Sequence, residues 1–448
     1  MAKSVCFVLM PFGVKADASG RSINFDTVYE KIFKPAVNAT GLLPVRADEE
    51  QAQGFIHKLM YERLLLSEYA IADLTILNAN VYYELGVRHA AKPSTTIMTM
   101  AGQTGLPFDV AGLRALPYLL NADGTPTNAE ASCAALVEQL KSCIGRTIVD
   151  SPIYQLVDGM QPPPIDPQFT DFFRERIAES EVVKGRLATA RAGKDVAAIE
   201  TVAKSLGDAS QLDAGVAMDL LNAYRAVGAL DKMIELIKGL DPKLSQTAVM
   251  LQLLAFAQNR LGQSQEAEET LEQVIQTQGP SAEVNGALGR VYKDRWEKEI
   301  GEDGDSFLAD TSLKQAIQTY LEGFEADWRE AYPGVNALTL MEAADDPRRH
   351  ELLPVVRYSA QRKLVRKAGV DYWDYATQLE IAVLADDMDA AKQALGNAIS
   401  RRPERWQLET TARNIRLIAN ARKLRQGSGP CAGVILAELD KRIEKAGK

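Results

Sequence analysis

Residues 71–90 read IADLTILNANVYYELGVRHA. The apolar run Ala70–Leu74 predicts a short strand, the asparagines of LNAN break it, and a helix opens near Val81. The alternation continues on both sides. Upstream, Ser4–Met10 (SVCFVLM) is almost continuously apolar, the pattern of a strand buried on both faces. Asn24–Thr40 spaces Phe25, Val28, Ile32, Ala36 and Val37 as a helix stripe. Leu43–Arg46 is a short strand, and Gly54–Ser67 repeats the helix signal with Ile56, Leu59, Met60 and Leu64. Downstream come strands at Thr95–Met100 and Leu116–Leu120 and a helix over Asn128–Ile144. This alternation predicts a doubly wound α/β domain over residues 1–150, a parallel sheet with helices on both faces. Ligands in such sheets sit at the carboxyl ends of the strands, which brings Met10–Gly13 and Asp73–Glu84 together.

Beyond this domain the composition changes. Gln161–Pro167 (QPPPIDP) is proline-dense and aperiodic, so 151–168 reads as a stiff linker. After it β-branched runs vanish, and the chain predicts helices separated by short Gly- or Asp-containing breaks. Leu251–Pro280 places Leu251, Leu254, Ala255, Gly262, Ala267, Leu271 and Val274 as a tetratricopeptide helix pair requires. Small Ala255 and Ala267 let two helices approach, and Gly262 opens the turn. Gly289–Phe324 and Tyr372–Pro403 are further imperfect units, the former interrupted by the acidic insertion Gly301–Asp305. The expectation is an all-α tetratricopeptide-like solenoid over 169–425 and a last helix in 426–448; the alternative is an irregular helical domain. The aromatics Trp296, Tyr320, Phe324, Trp328, Tyr332, Tyr372, Trp373 and Trp406 read mostly as core.

The 448 residues carry a formal net charge of −9, and only the modest basic face Arg413–Arg425 would suit a phosphate backbone, so nucleic acid is not the expected partner. Three histidines and four cysteines without CxxC or HxxxH spacing argue against a His/Cys metal site. No run of eighteen apolar residues and no leader pattern is present, so a cytoplasmic location is expected.

Two resemblances follow from particular segments. Met218–Leu240, Gly289–Trp296 (GRVYKDRW), Ala316–Met341 and Tyr372–Leu395 together resemble the TRAF-binding, tetratricopeptide-containing regulatory region of the apoptosis signal-regulating MAP kinase kinase kinases. The resemblance spans about residues 170–420 and implies partner binding and self-association, with a homo-oligomer expected. The chain has no Gly-rich loop followed by VAIK, no HRD and no DFG, so kinase activity is not expected of it. The first domain, in CFVLMPFG (Cys6–Gly13), IADLT (Ile71–Thr75) and NANVYYELGVRHA (Asn78–Ala90), resembles the nucleoside 2-deoxyribosyltransferase-like and TIR-like group, a flavodoxin-like fold. That resemblance implies that Glu84 is the catalytic carboxylate acting at the anomeric carbon of a nucleoside or of NAD, and that Asp73 contacts the ribose or its catalytic environment. Asn78 stands where several deoxyribosyltransferases carry an acid, six positions before the nucleophile.

Cleaving an N-glycosidic bond passes through an oxocarbenium-like state and needs a carboxylate beneath the sugar. Glu84 and Asp73 supply two carboxylates, Asn78 and Asn80 polar groups at a helix start, Tyr83 (with Tyr82) an aromatic edge for a base or nicotinamide. Pro11, Phe12 and Gly13 offer a close backbone approach to a phosphate and a stacking ring. The plainer readings are that Glu84 is a first-turn acid favouring the helix dipole, that Asn78 and Asn80 are caps, and that Pro11–Gly13 is a sheet exit. With Asn80 as N-cap, Glu84 falls one residue late for a capping box. Arg88, one turn on, is expected to pair with Glu84 and hold it ionised; His89 is expected to be structural. The sequence therefore predicts an N-glycosidase of NAD or a related nucleotide, using no cofactor or metal, governed by a helical sensing region. A metabolic nucleoside deoxyribosyltransferase or nucleotide N-glycosidase, and a non-catalytic nucleotide-binding scaffold, are the other readings.

Overall fold

The computed structural model describes residues 2–17, 20–46, 56–102, 115–145, 149–300, 304–365, 370–425 and 429–446. Part of the acidic insertion expected at Gly301–Asp305, residues 301–303, lies outside them. The chain forms two compact units, Met1–Val249 and Met250–Lys448.

The first unit is built on strands β1 (Val5–Leu9), β2 (Val14–Ala16), β3 (Ser22–Asn24), β4 (Leu43–Arg46), β5 (Tyr69–Asp73), β6 (Thr96–Ala101) and β7 (Ala115–Tyr118). Among the described residues β4, β1, β5, β6 and β7 form, in that order, a five-stranded sheet, with every neighbouring pair parallel. Between the strands run α1 (Phe25–Val28), a π-helical turn Tyr29–Phe33, α2 (Lys34–Ala39), α3 (Ile56–Leu66), α4 (Ala79–Ala91) and, after β7, α5 (Ala129–Cys143). All of β1 is buried. Its alternate side chains go to opposite faces: Cys6, Val8 and Met10 pack with Phe25, Tyr29, Phe33 and Leu136 of α1 to α5, whereas Val5, Phe7 and Leu9 pack with Leu64, Val81 and Leu85 of α3 and α4. The sheet strands and their helices fall where the sequence pattern places them. The antiparallel β2–β3 hairpin was not expected, because each strand is three residues long and the first is mostly exposed.

The helical part of this unit comprises α6 (Pro152–Leu156), α7 (Pro167–Ala192), α8 (Val196–Ser205), α9 (Ala214–Val227), α10 (Leu230–Gly239) and α11 (Pro242–Ser245). The proline-dense segment does not separate it from the sheet. Ser151 Oγ donates to the His89 carbonyl at 2.8 Å and Tyr154 OH to that of Ala90. Helix α7 lays Phe173 and Ile177 into the same core as Val5 and Phe7, and its Arg174 and Arg176 pair with Glu68 and Glu62. The change of composition at 151–168 thus marks a change of secondary-structure class, while the compact unit continues to Val249.

The second unit is helical throughout: α12 (Ala248–Arg260), α13 (Ser264–Gln278), α14 (Ala282–Glu299), α15 (Ser306–Ala326), α16 (Ala331–Ala344), α17 (Arg349–Val365), α18 (Tyr372–Leu384), α19 (Met388–Ser400), α20 (Arg405–Leu424) and α21 (Pro430–Ala446). Short loops make successive helices antiparallel neighbours, the tetratricopeptide-like arrangement expected. Ala255, Ala267, Leu271 and Val274 are buried, and Gly262 takes a left-handed turn at φ 80°. In the last pair Ala391, Leu395 and Ala398 are buried. Of the aromatics read as core, Trp296, Tyr320, Phe324 and Tyr372 are buried, but Trp328, Tyr332, Trp373 and Trp406 are exposed; helical spacing sets direction, not whether a neighbour covers the ring. The basic run near the C-terminus is largely neutralised from within, Arg413 by Asp294 and Glu297, Arg416 by Asp440, Arg422 and Arg425 by Glu342. No described helix is long and apolar enough to cross a membrane.

Two glycines test the packing. A Cβ on Gly289 of α14 would lie 2.8 Å from the buried ring of Tyr320 on α15, whereas one on Gly396 of α19 meets nothing within 4 Å. Gly289→Ala is expected to destabilise by about 1–3 kcal/mol through overpacking, despite the helix-propensity gain. Gly396→Ala should stabilise by about 0.5–1 kcal/mol. Thermal unfolding of both variants checks the contrast.

Candidate functional site

The strand order reverses at β1: the chain passes from β1 to β4 on one side, then to β5 on the other. The resulting crevice lies at the carboxyl ends of β1 and β5, where α/β sheets take ligands. The register, Leu9 beside Ala72, places Met10–Gly13 next to Asp73–Thr75. Residues 47–55 and 103–114 lie outside the described residues.

Gly13 adopts φ 68°, a conformation that favours glycine. Its N–H donates to Asp26 Oδ1 at 3.1 Å and its carbonyl accepts from Phe25 N at 3.0 Å. The N–H expected to meet a phosphate is therefore engaged by Asp26. That carboxylate also forms an ion pair with Arg46, Nη1 at 3.0 Å, and the Arg46 guanidinium lies 4.4 Å from the centroid of Tyr29. Asp26 and Arg46 were not singled out from sequence; the signal available was an arginine closing a buried strand. Pro11 is buried, and Phe12 is half-exposed with the Lys15 ammonium 5.5 Å from its centroid.

Asp73 is completely buried at the end of β5. Its Oδ1 accepts from Thr75 N at 2.9 Å and its Oδ2 from Tyr118 OH at 2.7 Å. Thr75 Oγ1 lies 2.9 Å from Tyr118 OH and accepts from Ala101 N at 2.8 Å. Burial raises the Asp73 pKa, and the Thr75 and Tyr118 hydrogen bonds offset part of the rise. This network stitches the ends of β5, β6 and β7 together, so Asp73 shapes the edge rather than presenting a free carboxylate.

The N-cap of α4 is Asn78, not Asn80: Asn78 Oδ1 accepts from Asn80 N at 3.0 Å and Val81 N at 3.3 Å. Asn80 is exposed in the first turn. Glu84 consequently lies beyond the first turn, where the helix dipole no longer explains it. Burial alone pushes its carboxyl up to about 7. Glu84 has no hydrogen-bond or ion-pair partner among the described residues. Arg88 does not pair with it. Fully buried, Arg88 donates to the carbonyls of Leu64, Ser67 and Glu68 and to the Thr96 and Thr95 hydroxyls. Those unsatisfied carbonyls at the end of α3 outcompete a carboxylate that stays near the edge. His89 is buried and held down to about 4, by burial and then by Arg88. Tyr83 is exposed and shares a 2.7 Å hydrogen bond with Tyr61 of α3. The neighbouring Tyr82 instead packs on the core of Val5, Phe7 and Leu64: its buried OH has no partner among the described residues, and its pKa is raised by burial and by the charge of Asp73. Among the described residues no cluster of His, Cys, Asp or Glu is arranged to hold a metal.

The family model described as MAP3K TRAFs-binding domain matches residues 81–432. The chain belongs to this family. The MAP3K TRAFs-binding match begins inside α4, so it includes Tyr83 and Glu84, while Pro11, Phe12, Gly13, Asp73, Asn78 and Asn80 precede it. One relative is the mitogen-activated protein kinase kinase kinase nsy-1 of Caenorhabditis elegans, 29% identical over 209 residues, 43% of this chain. The chain spans only 14% of that protein's length. Similar solved structures include a thermophilic tetratricopeptide protein of Thermus thermophilus (16% identity, TM-score 0.33, 45% of this chain and 97% of that one). A human IFIT1 dimer with m7Gppp-AAAA gives 12% identity and TM-score 0.36 over 70% of this chain and 79% of that one. At these TM-scores neither bears on fold or ligand.

Glu84 carries a pH signature. Its folded-state value of about 7 lies above the ordinary 4.5, so between those values the native chain holds a proton that the unfolded chain has released. Stability therefore falls as pH rises through that window. Ionised in its buried position, the carboxyl costs up to about 3 kcal/mol. Glu84→Gln is expected to be more stable than wild type at about pH 8 and to lose that advantage near pH 4. Urea denaturation at both pH values reads the difference; equal stability at pH 8 would mean a well-solvated carboxyl.

Proposed function

We propose that the chain is a nucleotide N-glycosidase under the control of a protein-binding helical region. The sheet domain, in this reading a doubly wound relative of the nucleoside 2-deoxyribosyltransferase-like and TIR-like group, cleaves the nicotinamide–ribose bond of NAD or the corresponding bond of a related nucleotide. The observation that carries the proposal is Glu84: a partly buried carboxyl with no partner among the described residues, on the helix that follows β5, with its pKa pushed up to about 7. Such a group is costly for folding and suited to chemistry near neutral pH. As the C1′–N bond breaks, nicotinamide leaves with the bonding pair and positive charge develops on the ribose. Glu84 stabilises that charge or adds to C1′, and water completes the hydrolysis to ADP-ribose, releasing a proton. Asp73, through Tyr118 and Thr75, fixes the edge against which the ribose lies, and Asn78 and Asn80 sit at the start of the helix that carries Glu84. Pro11–Gly13 borders the crevice, with Phe12 as the ring available for stacking. NAD or a nucleotide enters as substrate, not as cofactor. The helical region binds a protein partner and self-associates, as membership of a TRAF-binding family supports.

The second reading is a scaffold whose sheet domain binds a nucleotide without turning it over. The family match favours it, because that match is named for binding rather than catalysis.

Nicotinamide release from NAD by the full chain and by Glu84→Gln separates the two, with nucleosides and nucleoside monophosphates assayed alongside. The glycosidase reading expects release by wild type, reduced by about a hundredfold or more in the variant. Base release from nucleosides alone moves the activity to the metabolic class. Equal release by both proteins removes Glu84 from the chemistry, and no release by either at concentrations where self-association is complete favours the scaffold.

A further inference from the structure

A cavity of the second unit has no part in this chemistry. It measures about 290 Å³ and lies where the ends of α16, α18 and α20 meet the start of α17. Its apolar floor includes Leu338 and Leu353, and its walls carry Arg349, Arg422 and Arg425. All three arginines converge on one buried carboxylate, Glu342: Arg422 Nε at 3.0 Å, Arg425 Nη2 at 2.5 Å and Arg349 Nε at 3.2 Å. Arg422 also caps α18 by donating to the carbonyls of Val383 and Leu384. Arg422 and Glu342 thus form the fixed frame.

Arg349 and Arg425 are held differently. Their outer nitrogens, Arg349 Nη2 and Arg425 Nη1, both reach the same oxygen, Asp345 Oδ1, each at 2.9 Å. The Asp345 side chain is 60% exposed, and its residue sits in a left-handed turn at φ 54°. One oxygen of an exposed side chain therefore serves two guanidinium groups from different helices, which also donate to the backbone, Arg349 Nη1 to the Asp346 carbonyl at 2.8 Å and Arg425 Nη1 to that of Glu342 at 2.7 Å; beyond these bonds a second N–H remains on both Nη nitrogens of Arg349 and on Arg425 Nη2. A tetrahedral phosphoryl group, with three oxygens, satisfies two such groups better.

We propose that this cavity binds a small phosphomonoester, whose phosphoryl group replaces Asp345 at Arg349 and Arg425 while its body lies on Leu338 and Leu353. The formal charges of the arginines are balanced by Glu342, Asp345 and Asp386, so selectivity comes from directed N–H donors rather than from bulk positive charge. The site is independent of the N-glycosidase reading, since none of its residues belongs to the sheet domain.

Calorimetric titration of the full chain with phenyl phosphate, inorganic phosphate and phenol tests it. Phenyl phosphate is expected to bind at least tenfold more tightly than inorganic phosphate, and phenol not at all. Arg425→Gln should weaken phenyl phosphate tenfold or more. Asp345→Asn, which removes the competing carboxylate and suits a left-handed residue, should tighten it several-fold. Leu353→Trp, which fills the floor and leaves every arginine in place, should abolish binding while thermal unfolding stays cooperative. Should Arg425→Gln fail to fold, the Asp345 and Leu353 variants still decide. No binding of phenyl phosphate to wild type, or no change of affinity in Asp345→Asn and Leu353→Trp, overturns the proposal.

Discussion

Val5–Leu9 lies with every side chain out of water, and the first unit is arranged around that burial. A strand covered on both faces needs helices on both, and the chain supplies them by leaving β1 toward β4 and returning to β5 on the other side. The right-handed crossovers of parallel strands then push successive helices onto opposite faces. A gap follows at the carboxyl edge, where the helices diverge and backbone ends are left for side chains to satisfy.

Three charged groups near it have different fates. Arg88 is fully buried, and it is stable there because carbonyls at the end of α3 and two threonine hydroxyls accept its hydrogen bonds. Asp73 is equally buried, with both oxygens hydrogen-bonded within a closed network. Of the three, Glu84 has no partner among the described residues. A lone carboxyl withdrawn from water destabilises a fold unless some use retains it, and this contrast within one short stretch separates it from ordinary structural acids.

Much of this was legible in the sequence, for reasons that differ by element. β1 and the helix at Asn24–Thr40 were clear because burial on two faces and amphipathic packing each leave a period in the apolar residues. Ala255, Gly262 and Ala267 were clear because helix pairs need small residues at close approach and a left-handed turn between. The partner of Arg88 was not legible: spacing along α4 suggests Glu84, while the true acceptors are backbone carbonyls distant in sequence. The same holds for Tyr118, which reaches Asp73 across β6, and for Asp26 on Gly13. Adjacent Tyr82 and Tyr83 look equivalent as letters, yet the direction of α4 sends one onto the hydrophobic core and the other out to Tyr61. The proline-dense segment misled in a further way, since composition reports stiffness and says nothing of where the following helix docks.

That docking bears on how the molecule can be dissected. Phe173 and Ile177 are part of the sheet's own hydrophobic interior, and Arg174 and Arg176 neutralise two of its glutamates. A protease that cuts in the exposed stretch around Met160 would leave two pieces still clasped together. A recombinant sheet ending before α7 would bare an apolar trough flanked by uncompensated acids, inviting aggregation. An autonomous fragment of this region therefore includes α7 and continues with its compact unit to Val249, beyond the point where the sequence composition suggests a cut.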